Sequence, residues 1–388
     1  MIPAVKQYLL EHWVDFDLGD KPDDLLFIKF MDRGIRSAEV GCLTFLVKQV
    51  RRSLERPVLI VKIPRYPKNP EANRSLELEF NNLSLVRSRS EKDNIINSIP
   101  RPVFLKTIDS CQVLAISFLA GGDLGRWFVT PDPFESAEIK YKMAFDWLIS
   151  FQKLMGEKPA ELDEGFIDKY VNGPIEKYRQ TFSADTERYK QYFTKIASNA
   201  REKIGKKIKL YPQHGDWHAS NILAANGKIS GVIDWEDFSL DAPPCYDLFY
   251  FIRTYTDALY NSLIYRDDPV LIDNLANSTR YFEVVERIIE YYCKNIEIDI
   301  ELVNVFLPLY IIGSLNAAGD PRKVALPACE RGELLLSMEI ENIRNLVTAL
   351  SVFAYLDLGK RAYAANNLEL VGICKERMNA IFKRFIRK

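Results

Sequence analysis

Long apolar runs are the first feature that this sequence lacks. The longest strongly apolar stretch of the 388 residues is Val303–Leu315, which is too short to span a bilayer and contains a polar asparagine. We therefore expect this stretch to form a core helix, and we expect no transmembrane segment. The N-terminal residues, MIPAVKQYLLEHWVDFD, lack the charged-then-apolar order of a signal peptide, so we expect a cytoplasmic protein.

Cysteines at metal-binding or disulfide-framework spacing are also absent. The chain has 6 cysteines, and no two of them form a C-x-x-C or zinc-finger pattern. A chain of this length buries a sizeable core without cross-links. We therefore expect isolated buried thiols and a reducing compartment.

An excess of charge of either sign is missing as well. The 52 basic residues nearly balance the 53 acidic ones, which leaves a net charge of −1. No general positive field is available to attract a polyanion, so we expect no nucleic-acid partner. Hydrophobic residues make up 47% and charged residues 27% of the chain, and this composition excludes disorder and coiled-coil rods for the chain as a whole.

The pattern of apolar residues divides the chain into two regions near Gly121-Gly122. Before this point one helix is predicted at Glu71–Val86 among strand-like runs, which are Leu25–Phe30, Glu39–Val50, Pro57–Ile63 and Val113–Leu119. After it, helical spacing prevails around a strand interlude at Asn221–Trp235. The predicted helices are Ser136–Leu154, Phe166–Arg179, Glu187–Ile204, Leu271–Cys293, Glu301–Leu315, Glu333–Leu358 and Leu368–Arg387. We predict an α+β protein with a sheet-rich lobe at 1–120 and a helical lobe at 121–388.

Two short segments carry the residues with the clearest chemistry. Residues 211–223 read YPQHGDWHASNIL, and residues 231–236 read GVIDWE. Asp216 lies in a predicted loop, where its carboxylate could accept a hydrogen bond from a substrate hydroxyl. Asn221 could offer a carbonyl oxygen to a metal ion, and Asp234, at a strand end, is a hard oxygen ligand for Mg²⁺. A base and two magnesium ligands are the parts that phosphoryl transfer needs.

The order HGDWHASN and then VIDWE resembles the aminoglycoside phosphotransferase and choline kinase-like family, small-molecule relatives of protein kinases. This resemblance implies a two-lobed protein-kinase-like fold, with a small antiparallel-sheet N-terminal lobe and a large helical C-terminal lobe. It implies that Asp216 is the catalytic base, that Asn221 and Asp234 bind Mg²⁺, and that ATP or GTP is the phosphate donor. By the same resemblance, Asp247 is a buried structural carboxylate.

The first 120 residues contain candidates for the remaining parts of a kinase site. A kinase needs a strand lysine that pairs with the nucleotide phosphates and a helix glutamate that holds this lysine. Lys62 ends the strand-like run VLIVK, and Glu79 lies in the predicted helix, with Glu77 as the alternative.

The segment ISFLAGGDL resembles the kinase hinge. Backbone groups of Ser117, Phe118 and Leu119 would contact the adenine ring, and the following Gly-Gly pair would permit a sharp exit into the second region.

Three segments depart from the family pattern or allow plainer interpretations. The phosphate-covering loop is poorly marked, since only Gly34 and Gly41 are available, with Arg33, Arg36 and Ser37 as weak phosphate contacts. Gln152 stands where the family often has histidine. The basic run Arg201–Lys209 is predicted to be a solvated helix face, and the terminal IFKRFIRK could contact an anionic membrane surface, although we favour a solvated segment.

Several side chains near the motifs are predicted to be structural. His214 is predicted to hold the loop backbone. A group of aromatic residues could form a cation–π cage, but core packing is the favoured interpretation. Its members are Trp235, Phe238, Tyr246, Phe249, Tyr250 and Phe251. A role for Glu236, Asp237 and Asp241 in contacting an acceptor is about as well supported as plain solvated charge.

The sequence therefore predicts a Mg²⁺-dependent kinase that phosphorylates a hydroxyl of a small molecule. A sugar-like acceptor is favoured because nothing marks a choline cage or a dense acidic pocket for aminoglycosides. The alternative is a pseudokinase that binds nucleotide without transfer. A protein kinase is disfavoured because the loop reads HGD rather than HRD and the metal segment reads IDWE rather than DFG.

Overall fold

The computed structural model describes residues 1–30, 41–90, 93–125, 132–181, 189–264, 279–318, 372–376 and 378. The chain divides into two compact units. The first combines Met1–Asp123 with the short segments His214–Asp216 and Asn221–Ser239, and the second contains the other described residues. The lobe boundary that we placed after residue 120 stays a prediction.

A five-stranded antiparallel sheet forms the centre of the first unit. Its strands are β1 (Asp24–Lys29), β2 (Cys42–Arg51), β3 (Leu54–Pro64), β4 (Pro102–Ile108) and β5 (Cys111–Ser117), in the order β1-β2-β3-β5-β4. Strand β4 was not predicted from the sequence, because its proline and lysine weaken the strand pattern. Asp109 and Ser110 both have positive φ (49° and 62°) in the two-residue turn that pairs β4 with β5.

Helix α1 (Ile2–Glu11) covers one face of this sheet and was also missed by the sequence analysis. Val5 and Leu9 of this helix, with Trp13 just after it, are fully buried in a core cluster with residues of all five strands. Pro3 in the first turn and the helical spacing of Ile2, Val5 and Leu9 are the signals that indicate this helix.

Helix α2 (Pro70–Ser90) extends beyond the predicted Glu71–Val86, mainly at its C-terminal end, and its N-terminus is capped. The side chain of Asn69 accepts hydrogen bonds from the backbone N–H groups of Glu71 (2.9 Å) and Ala72 (3.1 Å). Leu76, Leu83 and Val86 are buried.

A second, three-stranded sheet completes the first unit. It contains β6 (Gly122–Asp123), β9 (Ile222–Ala225) and β10 (Lys228–Val232), in the order β10-β9-β6. This confirms the strand interlude predicted at 221–235. Because β9 begins directly after Asn221 and β10 ends shortly before Asp234, this hairpin determines where these two residues lie.

The second unit is mainly helical. Its helices include α3 (Pro133–Met155), α4 (Glu164–Ile167), α5 (Gly173–Thr181), α6 (Lys190–Arg201), α7 (Tyr246–Ile264), α8 (Thr279–Asn295) and α9 (Val303–Ala318), and its small sheet is formed by β7 (Lys158–Glu161), β8 (Lys207–Gln213) and β11 (Ser239–Ala242). The predicted core helix at 303–315 is confirmed by α9. Within the ranges described above, no helix is both long and apolar enough to cross a membrane.

Some predicted helices lie outside the described residues. These are Glu333–Leu358, most of Leu368–Arg387 and the first part of Leu271–Cys293, together with the basic C-terminal segment. The cysteines of the described part of the chain are free thiols, and Cys329 lies outside it.

The basic run 201–209 is not a helix face, which corrects the prediction. Helix α6 ends at Arg201, Gly205 adopts φ +87°, and β8 begins at Lys207. Lys209 makes ion pairs with Glu157 (2.6 Å) and Glu297 (2.7 Å). The run therefore passes from the end of a helix through a turn into a strand, where Lys209 pairs with acidic neighbours.

Candidate active site

Three ionisable side chains of the first unit converge on one point. Strand β3 presents Lys62, whose Nζ donates to both carboxylate oxygens of Glu79 at 2.8 and 2.7 Å and also to Oδ1 of Asp234. The Glu79 side chain is 1% exposed, whereas that of Asp234 is 39% exposed. Lys62 is therefore held between a buried carboxylate and an accessible one.

Burial and ion pairing act in opposite directions on these three groups. Burial alone would lower the pKa of Lys62, but the two carboxylates outweigh it and hold this pKa above its ordinary value. Burial alone would raise the pKa of Asp234, but the charge and hydrogen bond of Lys62 hold it below the usual range. Burial raises the pKa of Glu79 to about 7, although Lys62 opposes the shift. Lys62 and Asp234 are consequently charged at neutral pH.

Glu77, the alternative partner for Lys62, lies on a different side of α2. It accepts a hydrogen bond from the side chain of Gln112 at 3.0 Å in an exposed position. Because successive helical residues are rotated by about 100°, Glu77 and Glu79 cannot face the same neighbour.

His214 links the two sequence motifs inside the first unit. Its Nδ1 faces the backbone N–H of Asp216 at 3.3 Å, and its Nε2 faces the carbonyl of Ile233 at 3.0 Å. The first contact requires Nδ1 to accept, so Nε2 carries the proton and donates to Ile233. The fully buried ring thus joins the loop before Asp216 to the residue before Asp234, which agrees with the structural role predicted for it.

Asp216 and Asn221 are in direct contact. The amide Nδ2 of Asn221 donates to the carbonyl of Asp216 at 3.1 Å and to its carboxylate Oδ2 at 2.9 Å. The backbone carbonyl of Asn221 accepts from Ile233 N–H at 3.0 Å. Because the amide nitrogen is turned towards Asp216, the amide oxygen is the end of Asn221 that can meet a cation.

Known proteins share sequence features and the fold of this chain. The profile of the phosphotransferase enzyme family APH matches residues 43–267. The chain belongs to this family. A solved structure of a putative aminoglycoside phosphotransferase from Ralstonia eutropha JMP134 is 13% identical, with a TM-score of 0.52 over 91% of this chain and 98% of that chain. No curated protein sequence matches the chain.

Two further solved structures are similar over most of the chain. Aminoglycoside phosphotransferase APH(4)-Ia in complex with ADP and hygromycin B is 11% identical, with a TM-score of 0.49 over 90% of this chain and 98% of that one. A glucosamine kinase is 16% identical, with a TM-score of 0.45 over 90% and 83% of the two chains.

The family membership and the first of these likenesses confirm two predictions from the sequence. The fold is α+β and kinase-like, with an antiparallel sheet in the N-terminal region and a mainly helical C-terminal part. The protein is a phosphotransferase that acts on a hydroxyl group.

Gly215 lets the loop of this phosphotransferase pass close to the segment after Asp234. Its φ is +86°, and a Cβ at this position would lie 2.3 Å from the backbone carbonyl oxygen of Asp237. A backbone carbonyl cannot turn away as a flexible side chain can, so only glycine fits here.

A side chain at position 215 will therefore destabilise the protein through this steric clash, in addition to the cost of the left-handed backbone conformation. We expect Gly215→Ala to lower the free energy of unfolding by about 1–3 kcal/mol more than Gly205→Ala, which serves as the control. Gly205 has φ +87° but nothing within 4 Å of its Cβ position, so the pair isolates the steric clash. Urea unfolding of both variants measures the difference, and equal losses would contradict the prediction.

The predicted hinge has less free hydrogen-bonding capacity than expected. The N–H of Ser117 donates to the carbonyl of Arg101 at 2.8 Å, and that of Phe118 donates to the carbonyl of Val58 at 3.0 Å. These two amides already serve the sheet, so among the three predicted hinge residues the N–H of Leu119 is the donor left for a nucleotide base.

The predicted phosphate-covering loop lies mostly outside the described residues. This applies to Arg33, Gly34, Arg36 and Ser37. Gly41 is described, and nothing lies within 4 Å of its Cβ position.

Two residues of α2 near the site were not singled out from the sequence. Ser75 donates to the side chain of Glu236, and Nδ2 of Asn82 donates to the backbone carbonyls of Trp235 (2.8 Å) and Glu236 (3.2 Å). Ser75, Glu79 and Asn82 follow at i, i+4 and i+7 on one face of the helix. This spacing is the signal that could have indicated Ser75 and Asn82.

Gln152 and Asp247, both in the second unit, are buried structural residues. Nε2 of Gln152 donates to the carbonyl of Pro212 at 3.0 Å, and its Oε1 accepts from the hydroxyl of Tyr292 at 3.0 Å. The backbone N–H of Asp247 donates to Oε1 of Gln213 at 3.0 Å. Gln152 thus holds the backbone of Pro212, and Asp247 holds the side chain of Gln213, both directly before the HGD motif.

The candidate aromatic cage is mostly core. Trp235, Phe249 and Phe251 are fully buried, and Phe238 is 9% exposed. The rings of Tyr246 and Tyr250 stack on each other with centroids 6.1 Å apart. These positions favour packing over recognition of a quaternary ammonium group.

Proposed function

We propose that this chain is a small-molecule kinase that transfers the γ-phosphate of ATP or GTP to a hydroxyl group, with Mg²⁺ and a sugar-like acceptor. The observation that carries the proposal is the convergence, within one unit, of the Lys62–Glu79–Asp234 cluster with the Asp216–Asn221 pair. A positive group, a metal-binding carboxylate and a base are together the requirements for phosphoryl transfer.

Asp216 is the proposed catalytic base. Its carboxylate would accept the proton of the acceptor hydroxyl and aim the oxygen at the phosphorus. The hydrogen bond from Asn221 to Oδ2 fixes the orientation of this carboxylate.

The oxygens of Asn221 and Asp234 fit a magnesium ion, which prefers hard oxygen ligands. Within the described residues no cluster of three His, Cys, Asp or Glu side chains could hold a metal ion alone. This is consistent with a metal that is bound by few protein ligands and completed by nucleotide phosphates. When bound, Mg²⁺ neutralises charge on the phosphate oxygens. Lys62 is proposed to contribute further positive charge there.

The sheet offers an apolar surface for the nucleotide base next to Lys62. Ile60 lies on the same face of β3 as Lys62, because strand residues alternate. Leu46 pairs with Ile60, and Ile28 pairs with Leu46. Ile28 is 39% exposed. We propose that this strip covers the base and that the N–H of Leu119 contacts its edge.

The experiment that tests the function is transfer of phosphate from Mg²⁺-ATP and Mg²⁺-GTP to a panel of acceptors. The panel contains sugars, amino sugars, aminoglycosides, choline and hydroxy amino acids, and wild type runs beside Asp216→Asn. Turnover on one acceptor that disappears in the variant supports the proposal and names the acceptor class. Nucleotide binding without turnover on any acceptor favours the pseudokinase alternative. Absence of nucleotide binding would overturn both.

A further inference from the structure

One polar stripe of α2 runs along the metal-binding segment. Ser75, Glu79 and Asn82 follow at i, i+4 and i+7, so they lie on one face of the helix. Ser75 contacts the side chain of Glu236, and Glu79 holds Lys62, which in turn contacts Asp234. Asn82 contacts the backbone directly after Asp234. The stripe therefore faces the segment 234–236 over its whole length.

Asp234 has a backbone conformation that needs support from its surroundings. Its φ is +63°, a value that residues other than glycine rarely adopt. Such a conformation persists where neighbouring contacts enforce it. On the N-terminal side, His214 holds the carbonyl of Ile233 at 3.0 Å. On the C-terminal side, Asn82 holds the carbonyl of Trp235 at 2.8 Å and that of Glu236 at 3.2 Å.

We propose that Asn82 is a positioning residue that keeps Asp234 in its metal-binding orientation, a role that rests on the proposed Mg²⁺-dependent function. The carbonyls of residues 233 and 235 are fixed by two different side chains, and the peptide between them carries Asp234. Loss of the hydrogen bonds from Asn82 frees the C-terminal flank and lets Asp234 relax towards ordinary φ values. The carboxylate then leaves the position where it meets both Lys62 and a metal ion.

This role predicts that loss of the Asn82 side chain weakens metal binding, whereas a purely structural role predicts weaker nucleotide binding with or without metal. A partner that orients a metal ligand without touching the metal typically changes metal affinity by roughly 10- to 100-fold when it is removed. The contacts proposed for the nucleotide base, the apolar strip and Leu119, do not involve Asn82. Asn82→Ala should therefore weaken the response to Mg²⁺ and spare nucleotide binding without metal.

The chain offers a matched control one residue away. Asn81 is an exposed asparagine of the same helix turn, whereas Asn82 is partly buried. Asn81→Ala makes the same chemical change at a position facing solvent. Asn82→Asp keeps the size of the side chain but replaces the donor with an oxygen that faces two carbonyl oxygens, so it should act in the same direction as Asn82→Ala.

The test is binding of a fluorescent ATP analogue to the full chain, first in EDTA and then in a Mg²⁺ titration. We expect Asn82→Ala and Asn82→Asp to raise the Mg²⁺ concentration for half-maximal binding about 10-fold or more, with affinity in EDTA unchanged. Asn81→Ala should match wild type in both measurements.

The possible results separate this role from the proposed function. If wild type responds to Mg²⁺ and Asn82→Ala responds equally, the positioning role is overturned and the kinase proposal stands. If the Asn82 variants lose nucleotide binding in EDTA to the same extent, Asn82 only supports the fold and the role is also overturned. If wild type binds nucleotide without any response to Mg²⁺, the proposed function fails, and the role of Asn82 fails with it.

Discussion

Asp216→Asn will remove phosphate transfer while the protein still binds nucleotide. The substitution keeps the shape of the side chain and an oxygen that can accept the hydrogen bond from Asn221, but an amide cannot take a proton from the acceptor hydroxyl. Proton transfer by a positioned side chain contributes about 10²–10⁴-fold to a rate, so we expect turnover to fall by about this factor. Steady-state turnover on the acceptor found in the panel, together with the affinity for Mg²⁺-nucleotide, measures both parts.

Asp20→Asn is the control for this substitution. Asp20 is an exposed aspartate of the same unit whose carboxylate pairs with Arg51 at the surface. Its variant should retain wild-type turnover. The assignment of Asp216 fails if Asp216→Asn turns over at the wild-type rate, and it also fails if nucleotide affinity falls in parallel with turnover.

Lys62→Met will destabilise the protein strongly. Glu79 is 1% exposed and receives two hydrogen bonds from Lys62, so the substitution leaves a buried carboxyl group without its hydrogen-bond donor and, at a pH above the pKa of this group, without its counter-charge. Removing one partner of a buried ion pair costs about 3–5 kcal/mol. We expect a loss of this size in the free energy of unfolding, measured by urea denaturation and tryptophan fluorescence without nucleotide.

Two variants test the cause of this loss. Lys48→Met removes a lysine from the neighbouring strand, where it pairs with the exposed Glu55 at 3.0 Å, and it should cost less than about 1 kcal/mol. The double variant Lys62→Met/Glu79→Leu removes both charges and should be more stable than Lys62→Met alone. A double variant that is less stable than the single one would show that the loss does not come from the unpaired carboxylate.

The residues of the two motifs could be found from sequence because their chemistry depends on local order. Asp216 and Asn221 are near each other in the chain, and Asp234 follows a short apolar strand, so residue type and spacing limit where they can lie. The structure brings Asp216 and Asn221 together and places Asp234 against Lys62. Their proposed roles in transfer follow from this arrangement and from the resemblance.

Other features could not be found this way because they depend on contacts between distant residues. Strand β4 contains Pro102 and Lys106, and its strand conformation comes from pairing with β5. The choice between Glu77 and Glu79 likewise required the position of Lys62 on the sheet. Strand β8 is an exception, because its alternation of lysines with apolar residues is itself a strand pattern, which the helix predicted for 201–209 did not take into account.

The class of fold could be predicted from the periodicity of apolar residues, which short-range physics converts into helices, strands and turns. The family could be predicted from the resemblance of the two motifs, and the family profile confirms it. Three features could be seen only in the folded chain: which amide of the predicted hinge remains available, the passage of Gly215 beside the Asp237 carbonyl, and the contact of Asn82 with the backbone after Asp234. Such contacts join residues far apart in the chain, and they form only when packing of the sheet, helix and loop brings a donor within hydrogen-bonding distance of its acceptor.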